Sequence, residues 1–117
     1  VNISSGAVHT PYPGSGAYVV SKTALWGLTR QCACEWGLEG IRVNAVLPGV
    51  IAGTGMALDP YNCDNFNSKL PLGRNGRPED IAGAVLFLAA YITGQFIEVD
   101  GGKHCAFHNF AMAVTEG

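Results

Sequence analysis

A helix-length segment held between two strand-like runs constrains this chain more than any other feature. Ile41-Arg42-Val43-Asn44-Ala45-Val46-Leu47 reads as a strand and stops at Pro48-Gly49, because proline cannot continue a central strand. Val1-Asn2-Ile3-Ser4-Ser5 reads as an earlier, buried strand. Between them, from about Ala17 to Leu38, Leu25, Leu28, Cys32 and Trp36 recur at helical spacing. Ser15 suits the N-cap of that helix and Gly40 its left-handed end. A strand, a helix and a strand joined by short links make a right-handed crossover with parallel pairing. Ala17, Ser21 and Ala24 form a second, small-residue strip. A helix apolar on more than one face packs on both, which points to a subunit contact. Trp26 is assigned to that outward face and Trp36 to the core.

The same unit gathers chemistry at one edge. Tyr18 and Lys22 are four residues apart, so a helix sets them on one face, one turn from each other. A lysine ammonium beside a phenol favours the phenolate, and the positive end of the helix macrodipole favours the same anion. Such a phenol can exchange a proton with an alcohol or a developing alkoxide. Ser5 ends the first strand, at the carboxyl edge of a parallel sheet where ligands of α/β proteins bind. Its hydroxyl can orient a substrate oxygen.

Past Pro48-Gly49 the pattern breaks. Residues Val50 to Pro71 hold Gly53, Gly55, Pro60, three asparagines and the apolar set Met56, Ala57 and Leu58, and read as a mobile flap. Gly73 to Arg77 is a turn in which Arg74 and Arg77 are solvated charges. Pro78-Glu79-Asp80 opens a helix that fades near Ala90, with Ile81, Ala84, Val85 and Leu88 inward. Gln95 to Val99 is a third strand, ended by Asp100-Gly101-Gly102. The tail from Lys103 to Gly117 is expected to be loosely ordered.

With 117 residues, 48% of them apolar, and a net charge of −2, the chain suits one soluble unit with a modest core. There is no basic excess to suggest a nucleic-acid partner and no run long enough to span a bilayer. Cys32, Cys34, Cys63 and Cys105 show no C-x2-C spacing, so a reducing, cytoplasmic setting is expected, with no bridge between Cys32 and Cys34. His104, Cys105 and His108 are set aside as chance composition rather than a metal site, and Cys63 as an unactivated thiol.

Six landmarks in order resemble the short-chain dehydrogenase/reductase family in its single-domain, bacterial-type form. They are Asn2-Ile3-Ser4-Ser5; Tyr18-x3-Lys22 with Ser21; Ile41 to Val46; Pro48-Gly49; Gly76-Arg77-Pro78-Glu79-Asp80-Ile81-Ala82; and Ile92-Thr93-Gly94-Gln95 with Val99-Asp100-Gly101-Gly102. The resemblance implies an α/β, partial Rossmann-like doubly wound parallel sheet, its last three strands and their helices, over residues 1–102. It implies hydride transfer between NAD or NADP and a small alcohol or ketone. Tyr18 is then the acid/base, Lys22 the ribose-binding partner, and Ser5 the substrate-orienting hydroxyl. Pro48, Gly49 and Ile51 form the nicotinamide-side segment, joined by Thr54, and the parent protein is a homo-oligomer.

Three departures stand against that pattern. The chain has no glycine-rich phosphate loop, its link after Phe87-Leu88-Ala89 is short, and Thr54 comes one residue later than the usual threonine. The alternative expectation is an incomplete, non-catalytic piece of such a protein, marginally stable and prone to associate through an unpaired strand edge.

Overall fold

The structure is a computed structural model that describes residues 1–54 and 69–106. Three short strands, β1 (Asn2–Ile3), β2 (Ala45–Pro48) and β3 (Phe96–Val99), lie side by side in that order. Both pairings are parallel, with Asn2 opposite Ala45 and Ala45 opposite Phe96. The α/β crossover expected from the sequence is therefore present.

Helix α1 (Gly16–Trp36) joins β1 to β2 and runs into a short 3-10 turn at Gly37–Glu39. Ser15 holds the N-cap position, but its hydroxyl donates to Tyr12 O (2.6 Å) instead of capping the helix. Gly40 closes the other end at φ 78°, and the Ile41 amide reaches back to Trp36 O (3.2 Å). A side chain there would face the steric penalty of the left-handed region, so glycine terminates the helix sharply.

Register decides what α1 meets. Asn2, Ala45 and Phe96 share one face, and Leu47 and Glu98 follow two residues on. The Asn2 amide donates to Thr29 Oγ1 (3.0 Å). The Trp26 indole stacks on Phe96 at 4.7 Å between centroids. Trp26 thus faces the sheet, which corrects its assignment to the outward face. Trp36 is 42% exposed and Leu28 52%, so neither belongs to the core. The sheet-facing stripe is instead Thr29, Cys32 and Ala33, all buried. Ala17, Ser21 and Ala24 do lie exposed on the outer side. Cys32 and Cys34 are free thiols, as their spacing requires.

Helix α2 (Pro78–Phe87) packs on β2 and β3. Leu88 follows it and is buried with Val46 and Leu47 at the centre of the molecule. Its start is an ion-paired cap. Asp80 accepts from the Arg77 amide (2.8 Å) and from both terminal nitrogens of Arg74 (2.8 and 3.2 Å). Arg74 is thus a paired charge rather than a free one in a turn.

The Arg74 guanidinium, with the Arg77 amide, holds the Asp80 carboxyl at about 2, down from 3.8. A carboxyl depressed in this way contributes stability present above its ordinary value and lost as pH falls through about 2. Carbon-detected NMR of the Asp80 carboxyl should therefore titrate near pH 2, and Arg74→Gln should move the midpoint upward. A midpoint at 3.8 in the unsubstituted chain would mean that the bidentate pair does not form.

The short link after α2 carries no strained residue, since no non-glycine residue among those described has positive φ. Arg42 donates to Leu88 O and to Ile92 O (3.3 Å). The Asn44 amide donates to Ile92 O (2.9 Å) while its oxygen accepts from the Gln95 amide (3.1 Å). Tyr91, at the apex, is fully exposed. No helix among the described residues is long and apolar enough to cross a membrane. Most of the expected flap, with Met56, Ala57, Leu58 and Cys63, lies outside the described residues, as does His108.

Candidate active site

The end of β1 and the start of α1 are tied together in both directions. Ser4 Oγ donates to Lys22 O (2.9 Å), and Lys22 Nζ donates to Ile3 O (3.0 Å). In a parallel ladder successive residues point their amides to alternate sides. The Asn2 and Ser4 amides turn toward β2, so Ile3 directs its carbonyl to the outer edge, where Lys22 meets it. The same ammonium stands 5.8 Å from the centroid of the Tyr18 ring. Tyr18 is half-buried in the first turn of α1, and Ser21 Oγ donates to its carbonyl (2.7 Å). Ser5 is extended (φ −157°, ψ 146°) and caps the 3-10 turn Gly6–Val8, accepting from the Ala7 amide at 3.1 Å. That bond uses an acceptor lone pair, so the Ser5 hydroxyl proton is left to donate. Tyr18 and Lys22 thus stand together beside the end of β1, and Ser5 follows two residues after Ile3.

The residues after β2 occupy the neighbouring part of the same edge. The Gly49 amide donates to Val99 O (3.0 Å). A Cβ on Gly49 would stand 2.7 Å from Asp100 Cβ and 2.8 Å from Asp100 Cα, so only glycine lets the two strand ends approach this closely. Pro48 O lies under Gly6, 3.4 Å from where its Cβ would be, which brings the loop after β1 against the end of β2. Ile51 is buried and bridges to Gly76, through Ala52 N to Gly76 O and Gly76 N to Val50 O, both 2.9 Å. Thr54 is exposed and its hydroxyl donates to Ile51 O (3.0 Å), so it closes its own turn. A cavity of about 190 Å³ opens at the other flank, lined by Leu72, Arg74, Gly76, Asp80, Val99 and Gly101. None of Ser5, Tyr18 or Lys22 lines it.

Of the tail expected over Lys103–Gly117, residues Lys103–Cys105 form a 3-10 turn, and residues 107–117 lie outside the described residues. The Asp100 carboxylate anchors it, accepting from the amides of Gly102 and His104 (3.0 Å each) and facing His104 Nδ1 at 2.8 Å. Burial alone would push Asp100 up, but the His104 ring and these amides outweigh it and hold the carboxyl down. Asp100 in turn raises His104 above its ordinary value through the hydrogen bond to its ring. Sequence reasoning missed Glu98, Asp100 and His9 in this neighbourhood. One signal was available: Glu98 alternates with Phe96 on the inward face of an otherwise apolar strand, where an acid needs a partner.

The chain as a whole is similar to known proteins. A family model described as enoyl-(acyl carrier protein) reductase matches residues 1–104. A solved short-chain dehydrogenase/reductase family protein superposes with a TM-score of 0.76 at 42% identity, over 89% of this chain and 44% of that one. The chain belongs to the short-chain dehydrogenase/reductase family. Among curated relatives, 2-(S)-hydroxypropyl-CoM dehydrogenase 3 of Xanthobacter autotrophicus is 42% identical over 87% of this chain and 44% of its own. A paralogue named inactive 2-(S)-hydroxypropyl-CoM dehydrogenase 2, from the same organism, is 43% identical over 87% of this chain and 49% of its own. The chain thus spans about half the length of the dehydrogenases it resembles.

Proposed function

We propose that these residues carry the proton-transfer half of a nicotinamide-dependent dehydrogenase acting on a small alcohol or ketone. The observation behind this reading is the double tie that fixes Lys22 against Ile3 O and beside the Tyr18 ring. Ser5 donates its free hydroxyl proton to the substrate oxygen and sets its distance from the phenol. Tyr18 takes the proton from an alcohol, or returns it to the oxygen of a ketone being reduced. Lys22 supplies positive charge beside the ring, and the N-terminal turn of α1 adds the favourable end of its dipole.

A nicotinamide group fits the residues present. One ammonium hydrogen of Lys22 serves Ile3 O, which leaves donors for ribose hydroxyls. Pro48, Gly49 and Ile51 offer main-chain groups at the carboxyl end of β2. When bound, NAD or NADP gives or takes the hydride.

Reduced-cofactor fluorescence tests the reading. A full-length polypeptide carrying this site should bind NADH or NADPH, and should consume it in the presence of small ketones. Binding without any turnover across a ketone panel would favour the second reading, a non-catalytic association module. The outward apolar residues of α1, Val20 at 70% exposed and Leu28 at 52%, favour that alternative.

A further inference from the structure

We propose that Glu98, Asp100 and His104 form a binding site for one first-row divalent transition cation of the Zn2+ type. Glu98 comes from β3, Asp100 from its end and His104 from the turn that follows, so one short segment brings all three together. One ligand atom from each lies within 4.8 Å of the others. His104 Nδ1 is 2.7 Å from Glu98 Oε2 and 2.8 Å from Asp100 Oδ2. Around a cation at about 2.0–2.2 Å from each ligand, tetrahedral positions stand about 3.3 Å apart. The three atoms need only small rotations to reach that spacing.

Two further observations point to a ligand. Glu98 Oε2 is buried and accepts no hydrogen bond among the described residues, although His104 Nδ1 is close: the ring directs its bond to Asp100. The close partner of Glu98 Oε2 is His104 Nδ1 at 2.7 Å, and a cation seated between them takes the place of the ring proton, which is released on binding. Two carboxylates also converge on His104 Nδ1, with Asp100 only 4% and Glu98 18% exposed at the side chain, while the ring of His9 meets the other oxygen of Glu98. A divalent cation matches two carboxylates gathered in this way.

The surroundings hold the ligands in place. His9 Nε2 is 2.5 Å from Glu98 Oε1, the oxygen not aimed at the site. The His9 ring meets Trp26 edge-on at 5.1 Å, and Trp26 stacks on Phe96. His9 is thus a positioning residue of the kind that fixes a ligating carboxylate. Cys105 Sγ stands 3.1 Å from His104 Nε2, on the far side of the ring from the proposed ligand atom, and takes no part. Three protein ligands leave one position for water, as in open zinc sites.

Calorimetric titration of the tag-free chain with Zn2+ tests this. One cation per chain should bind, and excess Mg2+ should not compete. His104→Ala and Glu98→Gln should each weaken binding by about 100-fold or more, and His9→Ala by about 10-fold, the range for a group that orients a ligand. Cys105→Ser should leave affinity unchanged. Co2+ added to the unsubstituted chain provides a readout that needs no variant: visible d–d bands without thiolate charge transfer are expected. Absence of saturable one-to-one binding, or of the Co2+ bands, overturns the proposal. So does wild-type affinity in a folded His104→Ala chain, which would leave these groups as ion pairs only.

Discussion

On the function proposed above, replacing Tyr18 by Phe in a full-length polypeptide carrying this site should lower turnover by about 10²–10⁴-fold, the range for removing a positioned acid/base. The substitution deletes one oxygen and keeps the ring, so the half-buried packing in the first turn of α1 survives. Lys22 keeps its place beside the ring. Reduced-cofactor affinity should therefore stay within a few-fold, and the loss should fall on kcat. Steady-state kinetics with matched fluorescence titration would separate the two. A variant that turns over at the original rate would remove Tyr18 from the chemistry, and a variant with lost cofactor affinity would make it a binding residue.

Leu47→Ala should be the most damaging single truncation of the core. Leu47 is wholly inaccessible to solvent, in the central strand, opposite Glu98 of β3. Such truncations remove about 2–5 kcal/mol, partly as lost transfer energy and partly as an unfilled cavity. Total stabilities are commonly about 5–15 kcal/mol, so this fraction is large. Urea unfolding should show a lower midpoint with an unchanged slope. Leu38→Ala is the control, since Leu38 is fully exposed and its removal should change stability by less than about 0.5 kcal/mol. Equal effects at the two positions would mean that β2 is not the centre of the fold.

The helix ends were legible because they rest on local rules: Gly40 takes a positive φ and Pro78 opens a helix whatever surrounds it. The strands were legible in place but not in extent: β2 starts at Ala45 rather than Ile41 and still includes Pro48, which pairs with Val99, and β1 is a two-residue edge strand whose Ile3 is exposed rather than buried. The closeness of Tyr18 and Lys22 followed from helical spacing alone. What failed needed tertiary information. The α1 pattern is apolar on several sides, so periodicity could not tell which side meets the sheet. The small and polar residues Thr29, Cys32 and Ala33 won that place because Asn2 offers Thr29 a hydrogen bond and the sheet lies close. That turn of the helix carries Trp26 onto Phe96 and leaves Trp36 outside. Lys22 meeting Ile3 O depends on how α1 crosses β1, which no sequence interval encodes. The turn at Lys103–Cys105 depends on Gly102 adopting φ 87° and on Asp100 receiving two amides, a local motif that composition concealed.

The grip of Arg42 and Asn44 on the link before β3 has a consequence for how such chains vary. Both side chains belong to the residues entering β2, and they hold the carbonyls of Leu88 and Ile92 and the amide of Gln95. The start of β3 is therefore located by its neighbour and not by the length of the connection. Residues 89–91 hang outside that clasp, with Tyr91 wholly in solvent. Insertions and deletions can accumulate there without shifting the register of Ala45 on Phe96. A change of length in that connection should leave the edge that Gly49 and Asp100 build together where it is.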